Sequence, residues 1–211
     1  MNERIKTIIS QFINGTIGGM LIGIGGCVSL SCDNKYVGSL LFSLGLFTII
    51  QFGFGLFTGK IGYAPLRRPA YLAECLFTLL GNTFGTFIDA FLLNRTRISA
   101  AISEKALGSV DTKLADSPLS AFILAVFCGI LMFIAADGFK NIENPVGKML
   151  VIFLPVMVFI LSGFEHCVAN MFYFTAGMAW SLKAFGYLLV MSVGNAIGGM
   201  FIPLIRKWFV E

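Results

Sequence analysis

The segment 162–172, SGFEHCVANMF, places Glu165, His166 and Asn170 inside one of the most apolar parts of the chain. His166 is the sole histidine among 211 residues. Asn170 lies four positions on, so a helix through both puts them on one face. A neutral imidazole offers one N–H, and a protonated one holds an anion strongly and can lend its proton. The flanking runs MLVIFLPVMVFIL and YFTAGMAW make such groups costly unless they line a polar path or satisfy one another. Glu165 reads as structural, its carboxylate accepting N–H groups freed where the helix is interrupted. A second candidate is Thr58 in FGFGLFTGK, where Gly53, Gly55 and Gly59 interrupt another apolar run. The chemistry on offer is hydrogen-bond donation to a partly dehydrated anion. A membrane enzyme is disfavoured, because there is no Ser-His or Cys-His pairing and no His-Glu-x-x-His. A membrane assembly subunit without flux is the other alternative, and it leaves the interrupted helices unexplained.

Composition says what must position these groups. Hydrophobic residues make up 57% of the chain, charged residues 12%, and mean hydropathy is +0.87. A soluble domain carries about twice that charge. The chain is therefore expected to be an integral membrane protein, with the lipid bilayer as a partner. The net charge of +4 comes without a basic cluster, which excludes a nucleic-acid partner. The five cysteines are scattered over different apolar runs without metal-ligand spacing and read as packing residues. No metal or cofactor is expected. The start, MNERIKTIIS, shows no cleavage pattern, so the first span is expected to stay in the mature protein.

A bilayer core of roughly 30 Å needs about 20 apolar residues per helix. Six stretches qualify, at roughly 10–30, 37–57, 71–93, 117–136, 147–174 and 182–203. The second and fifth carry breaks. LLGNTFGTFI and SVGNAIGGMFI share Gly-Asn-x-x-Gly at an offset of 194 − 81 = 113, and Thr58 and His166, taken as break points, give 166 − 58 = 108. Two similar offsets predict two three-helix halves, about 10–93 and 117–203, joined by a linker at 94–116 in a single transmembrane channel domain, 1–211. Three spans per half force opposite orientations, an all-α inverted-repeat design with its pathway at the repeat interface. An even number of spans puts both termini on one side. Nine of the 15 Lys and Arg lie on that side, which makes both termini cytoplasmic.

SGFEHCVANMFYFTAG resembles the fifth-helix signature of the formate/nitrite transporter family, and GFGLFTGK the loop in its broken second helix. The Gly-Asn segments fit its third and sixth helices, so the resemblance covers roughly 10–205. It implies an aquaporin-like protomer in a homopentamer, in a bacterial inner or cell membrane. Each protomer would carry its own pore for a small monovalent anion such as formate, nitrite or hydrosulfide. It also implies roles. Thr58 and His166 match the pair at the pore centre, with Asn170 beside the histidine. Phe42, Leu46, Leu56, Phe57 and Phe159 fall where the family has one apolar constriction, and Met132 at the other end. Lys113 matches a vestibule lysine that draws anions in. Lys60 stands where the family has a smaller polar residue and Gly129 where many members have Asn, both expected near the pathway. Aquaporins are set aside because they need two Asn-Pro-Ala caps. The familiar ammonium channels need paired histidines.

Overall fold

The computed structural model describes residues 3–210. Met1, Asn2 and Glu211, the extreme ends to which the expectation of cytoplasmic termini refers, lie outside the described residues. The chain runs α1 (Glu3–Ser31), α2 (Lys35–Phe52), α3 (Phe57–Lys60), a 3-10 turn (Ile61–Leu66), α4 (Ala70–Leu93), α5 (Ser99–Ala115), α6 (Pro118–Asn141), α7 (Pro145–Leu161), α8 (Cys167–Ala176) and α9 (Leu182–Phe209). Helix starts follow local chemistry. Asn34 accepts the Tyr36 and Val37 N–H groups, and Ser117, Asn144 and Ser181 each accept one N–H of the first turn that follows. Pro118 and Pro145 open α6 and α7, where a missing N–H goes unmissed.

Among the described residues, five helices, α1, α2, α4, α6 and α9, are long and apolar enough to cross a membrane. The apolar helices α7 and α8 are shorter. The segment 94–116, read as a linker, carries α5. The outward surface is apolar along helical stripes, such as Leu72, Leu76, Leu80, Phe84, Phe87 and Phe91 on α4. Such faces suit lipid or a second apolar surface, and the protein is an integral membrane protein.

The two halves are built alike. In each, the first helix packs on the third, α1 on α4 and α6 on α9. Both broken helices end the same way. Gly53 and Gly163 take left-handed φ of 74° and 69°, which a Cβ would oppose, and they lie 163 − 53 = 110 apart. The next N–H groups reach back alike, Phe54 to the Ile49 carbonyl and Phe164 to the Phe159 carbonyl, each at 2.9 Å. Extended residues Leu56 and His166 then cap α3 and α8, again 166 − 56 = 110 apart. This corrects the pairing of Thr58 with His166 as equivalent break points. Leu56 is the counterpart of His166, and Thr58 lies two residues beyond it, inside α3.

Candidate functional site

The breaks set a problem that the sequence reading solved with the wrong residue. Starting a helix in a dry interior leaves N–H groups that must find acceptors. Glu165 does not supply them. Asn82 and Asn195, both fully buried, do. Asn82 Oδ1 accepts the Phe57 N–H at 2.9 Å, and Asn82 Nδ2 donates to the Gly15 and Gly55 carbonyls at 2.7 and 2.9 Å. Asn195 Oδ1 accepts the Cys167 N–H at 2.8 Å and its Nδ2 donates to the Ala125 and Glu165 carbonyls at 2.7 and 2.8 Å. Each amide therefore ties the broken segment and the first helix of its half to its own helix. The Gly-Asn pattern was visible as a repeat marker, and its role as the clamp was missed.

At the centre, Thr58 Oγ1 lies 2.9 Å from His166 Nε2, with Thr58 0% and His166 2% exposed. The other ring nitrogen, Nδ1, accepts the Ala169 N–H at 3.1 Å as the cap of α8. An accepting Nδ1 bears no hydrogen, so the neutral ring carries its hydrogen on Nε2 and donates it to Thr58. The threonine hydroxyl then keeps its own O–H free to donate. The freed backbone amides, expected to greet an anion here, include Phe57, Cys167 and Ala169, whose N–H groups already have side-chain partners.

Two cavities flank this pair. One, about 390 Å³, lies on the α5 side and is lined by His166, Asn170, Phe159, Lys113 and Lys35 among others. The second, about 340 Å³, opens opposite and is lined by Leu46, Leu56, Lys60, Tyr63 and Lys140 among others. They are related by the repeat: Ile49, Gly53, Lys60 and Tyr63 of one stand 110 residues before Phe159, Gly163, Asn170 and Tyr173 of the other (159 − 49, 170 − 60).

The expected apolar constriction is divided rather than single. Phe159 stacks near the His166 ring at 5.5 Å and meets Phe42 edge-on at 5.7 Å on the α5 side. Leu46 and Leu56 line the opposite cavity. Phe57 and Met132 are buried in the same core. The repeat pairs Phe159 with Ile49, which lines the opposite cavity beside Leu46 and Leu56, so apolar residues stand on both sides of the centre.

Asn170 is brought to the site but faces Glu165. Its Nδ2 donates to Glu165 Oε2 at 2.7 Å and lies 3.0 Å from the Met191 sulfur. Lys113 Nζ binds the same Glu165 oxygen at 2.6 Å. With both amide hydrogens engaged, Asn170 holds the carboxylate and is not a free donor to the path, contrary to the expectation. Glu165 in turn compensates Lys113 in a setting where an unpaired charge would be costly.

Gly129 is also misplaced by the sequence reading. A Cβ there would collide with the main-chain oxygen of Asn195, as one on Gly19 would with that of Asn82. Its smallness serves the α6–α9 approach, a close backbone contact of the small-residue kind. Gly129→Ala is expected to lower thermal stability in detergent by about 1–3 kcal/mol, read from the unfolding midpoint, and an unchanged midpoint would refute the packing role.

With this geometry in hand, comparison with known proteins is direct. Residues 1–209 match the formate/nitrite transporter family. A probable formate transporter of Methanothermobacter thermautotrophicus is 27% identical across 97% of this chain and 88% of its own length. The formate channel FocA of Haemophilus influenzae is 30% identical over 68% of this chain and 54% of its own. Among solved structures, a pentameric formate channel with formate bound superposes with a TM-score of 0.79 at 23% identity, covering 97% of this chain and 98% of that one. An FNT family ion channel gives 0.80 at 24% identity over 100% and 92%. These structures share the fold, including the aquaporin-like protomer of two inverted three-helix repeats. The family match over nearly the whole chain, on a site built from two interrupted helices, establishes that this protein belongs to the formate/nitrite transporter family.

Proposed function

We propose that the chain forms a path for small monovalent anions of the formate, nitrite or hydrosulfide type, acting as a single channel domain with halves about 10–93 and 117–203 around the segment 94–116. The observation that carries this reading is the Thr58–His166 hydrogen bond between two opposed cavities. Each cavity is lined by two lysines, Lys35 and the Glu165-paired Lys113 on one side and Lys60 and Lys140 on the other. A basic mouth raises the local anion concentration. The ion then meets Phe42 and Phe159 on one side or Leu46 and Leu56 on the other, where losing its water costs several kcal/mol. The Thr58 hydroxyl, whose oxygen accepts the Nε2–H of His166 and whose own O–H is left to donate, offsets part of that cost.

Coupling to protons through His166 has a structural condition. A second proton must sit on Nδ1, which faces the Ala169 N–H, so that cap bond must open first. The neutral ring acts as a donor without opening it.

The pentameric relative supports a homopentamer, and the cavities lined within one chain support one path per protomer. The positive-inside bias supports cytoplasmic termini, and bacterial relatives such as that of Haemophilus influenzae support a bacterial inner or cell membrane. The family is one of transporters, and the reading includes no enzymatic step. The test is flux into liposomes holding purified protein, with formate, nitrite and hydrosulfide at two pH values. We expect saturable uptake of at least one ion. No uptake of any of them would favour an assembly subunit instead.

A further inference from the structure

We propose that Lys60 forms an anion-binding station in the cavity opposite α5, giving the two mouths of the path unequal affinity; the inference rests on the permeation reading above. The repeat aligns Lys60 with Asn170, since 170 − 60 = 110, so a cation stands on one side where a neutral amide stands on the other. The surroundings differ in the same sense. Lys113, the lysine of the α5-side cavity nearest Asn170, is neutralised at 2.6 Å by Glu165. Among the described residues, the carboxylate paired with Lys60 is that of Glu74, at 4.0 Å, and Arg68 shares it at the same distance. The short contact of Lys60 is instead to the uncharged Gln11 Oε1. The Tyr71 ring lies 5.3 Å from its ammonium.

The ammonium is thus placed but incompletely compensated. Its side chain is 19% exposed, and it lines a cavity whose other cation is Lys140 and whose lining holds no carboxylate. An ammonium of this kind suits a small monovalent anion; the neighbouring Tyr63 hydroxyl and Asn14 amide already donate to Asp137 and Ser10, so the attraction is that of the lysine charge. Lys60 stands on the same short helix α3 as Thr58, and the cavity it lines is also lined by Leu56 and Gly59, the neighbours of Phe57 and Thr58 in sequence. Nothing comparable in charge occupies the Asn170 position, where the amide already serves Glu165.

The test applies formate to one face at a time of proteoliposomes whose sidedness is assigned with a C-terminal tag. Lys60→Gln is expected to raise the half-saturating formate concentration about tenfold from the face bearing Lys60, while the opposite face stays within about twofold. A factor of ten corresponds to about 1.4 kcal/mol. Lys60→Arg should stay close to wild type. Gln11→Glu leaves Lys60 in place but sets a carboxylate against it, and should reproduce the one-sided loss. An equal shift from both faces, or none, in Lys60→Gln and Gln11→Glu overturns the proposal and leaves permeation standing. If the wild-type protein passes no small anion, both readings fall together.

Discussion

Asn195→Leu is expected to lower the thermal midpoint in detergent by on the order of 10 °C and to reduce the yield of assembled protein. Leucine keeps the branched shape of the side chain with somewhat bulkier ends, so crowding adds to the loss of the hydrogen bonds. It strands the Cys167 N–H and the Glu165 carbonyl and removes a second bond to the Ala125 carbonyl, which keeps its helical partner in α6. A buried polar group without a partner costs about 1–3 kcal/mol, so two amount to several. For a chain of this length each kcal/mol moves the midpoint by about 2–4 °C. Asn82→Leu removes the matching clamp in the other half, and its effect should be of similar size. The measurement is a melting curve followed by size-exclusion chromatography. A midpoint within about 2 °C of wild type for both variants would show that water takes over these contacts.

His166→Phe carries the second large effect, and it should fall on flux rather than on assembly. The substitution removes the Thr58 partner and the Ala169 cap together. Loss of an N-cap costs about 1 kcal/mol, which a membrane helix packed as deeply as α8 tolerates. The permeation path loses its central ring donor in a region closed by Phe159 and Phe42. Flux at neutral pH is expected to fall more than tenfold, and any pH dependence due to the imidazole should disappear. His166→Asn separates the two roles, since asparagine caps helices well but does not titrate. It should restore the melting midpoint and leave the pH response absent. Uptake indistinguishable from wild type at every pH in both variants would remove His166 from the path.

The sequence made the architecture legible because its strongest signals are local. Apolar run lengths gave the crossings, and glycines gave the breaks at Gly53 and Gly163. The central pair was also legible: Thr58 and His166 are polar groups in apolar runs with no cheaper explanation. What sequence could not give was who bonds to whom across the fold. Asn82 and Asn195 look like helix-packing residues until α3 and α8 are placed against them. Glu165 and Asn170 look like independent polar groups until Lys113 arrives from α5, a helix hidden in what reads as a linker. Phe42 and Leu46 lie one turn apart on α2, yet they serve opposite sides of the centre. Gly129 reads as a pathway residue because depth is visible in sequence, whereas the face that a residue presents is not.

The near-twofold matching of the two cavities has a bearing on direction. A passage whose entrances are images of one another contains no ratchet of its own. Shape alone then favours neither sense of passage, and any preference must come from the gradients of the ion and of whatever moves with it. Replacing an amide by an ammonium at one entrance, as Lys60 does relative to Asn170, alters how readily that end fills and empties. It leaves the balance point untouched, because an attraction on the way in is a retention on the way out. A cell holding such a protein would set import or export through its own metabolism, by producing or consuming the ion on one side.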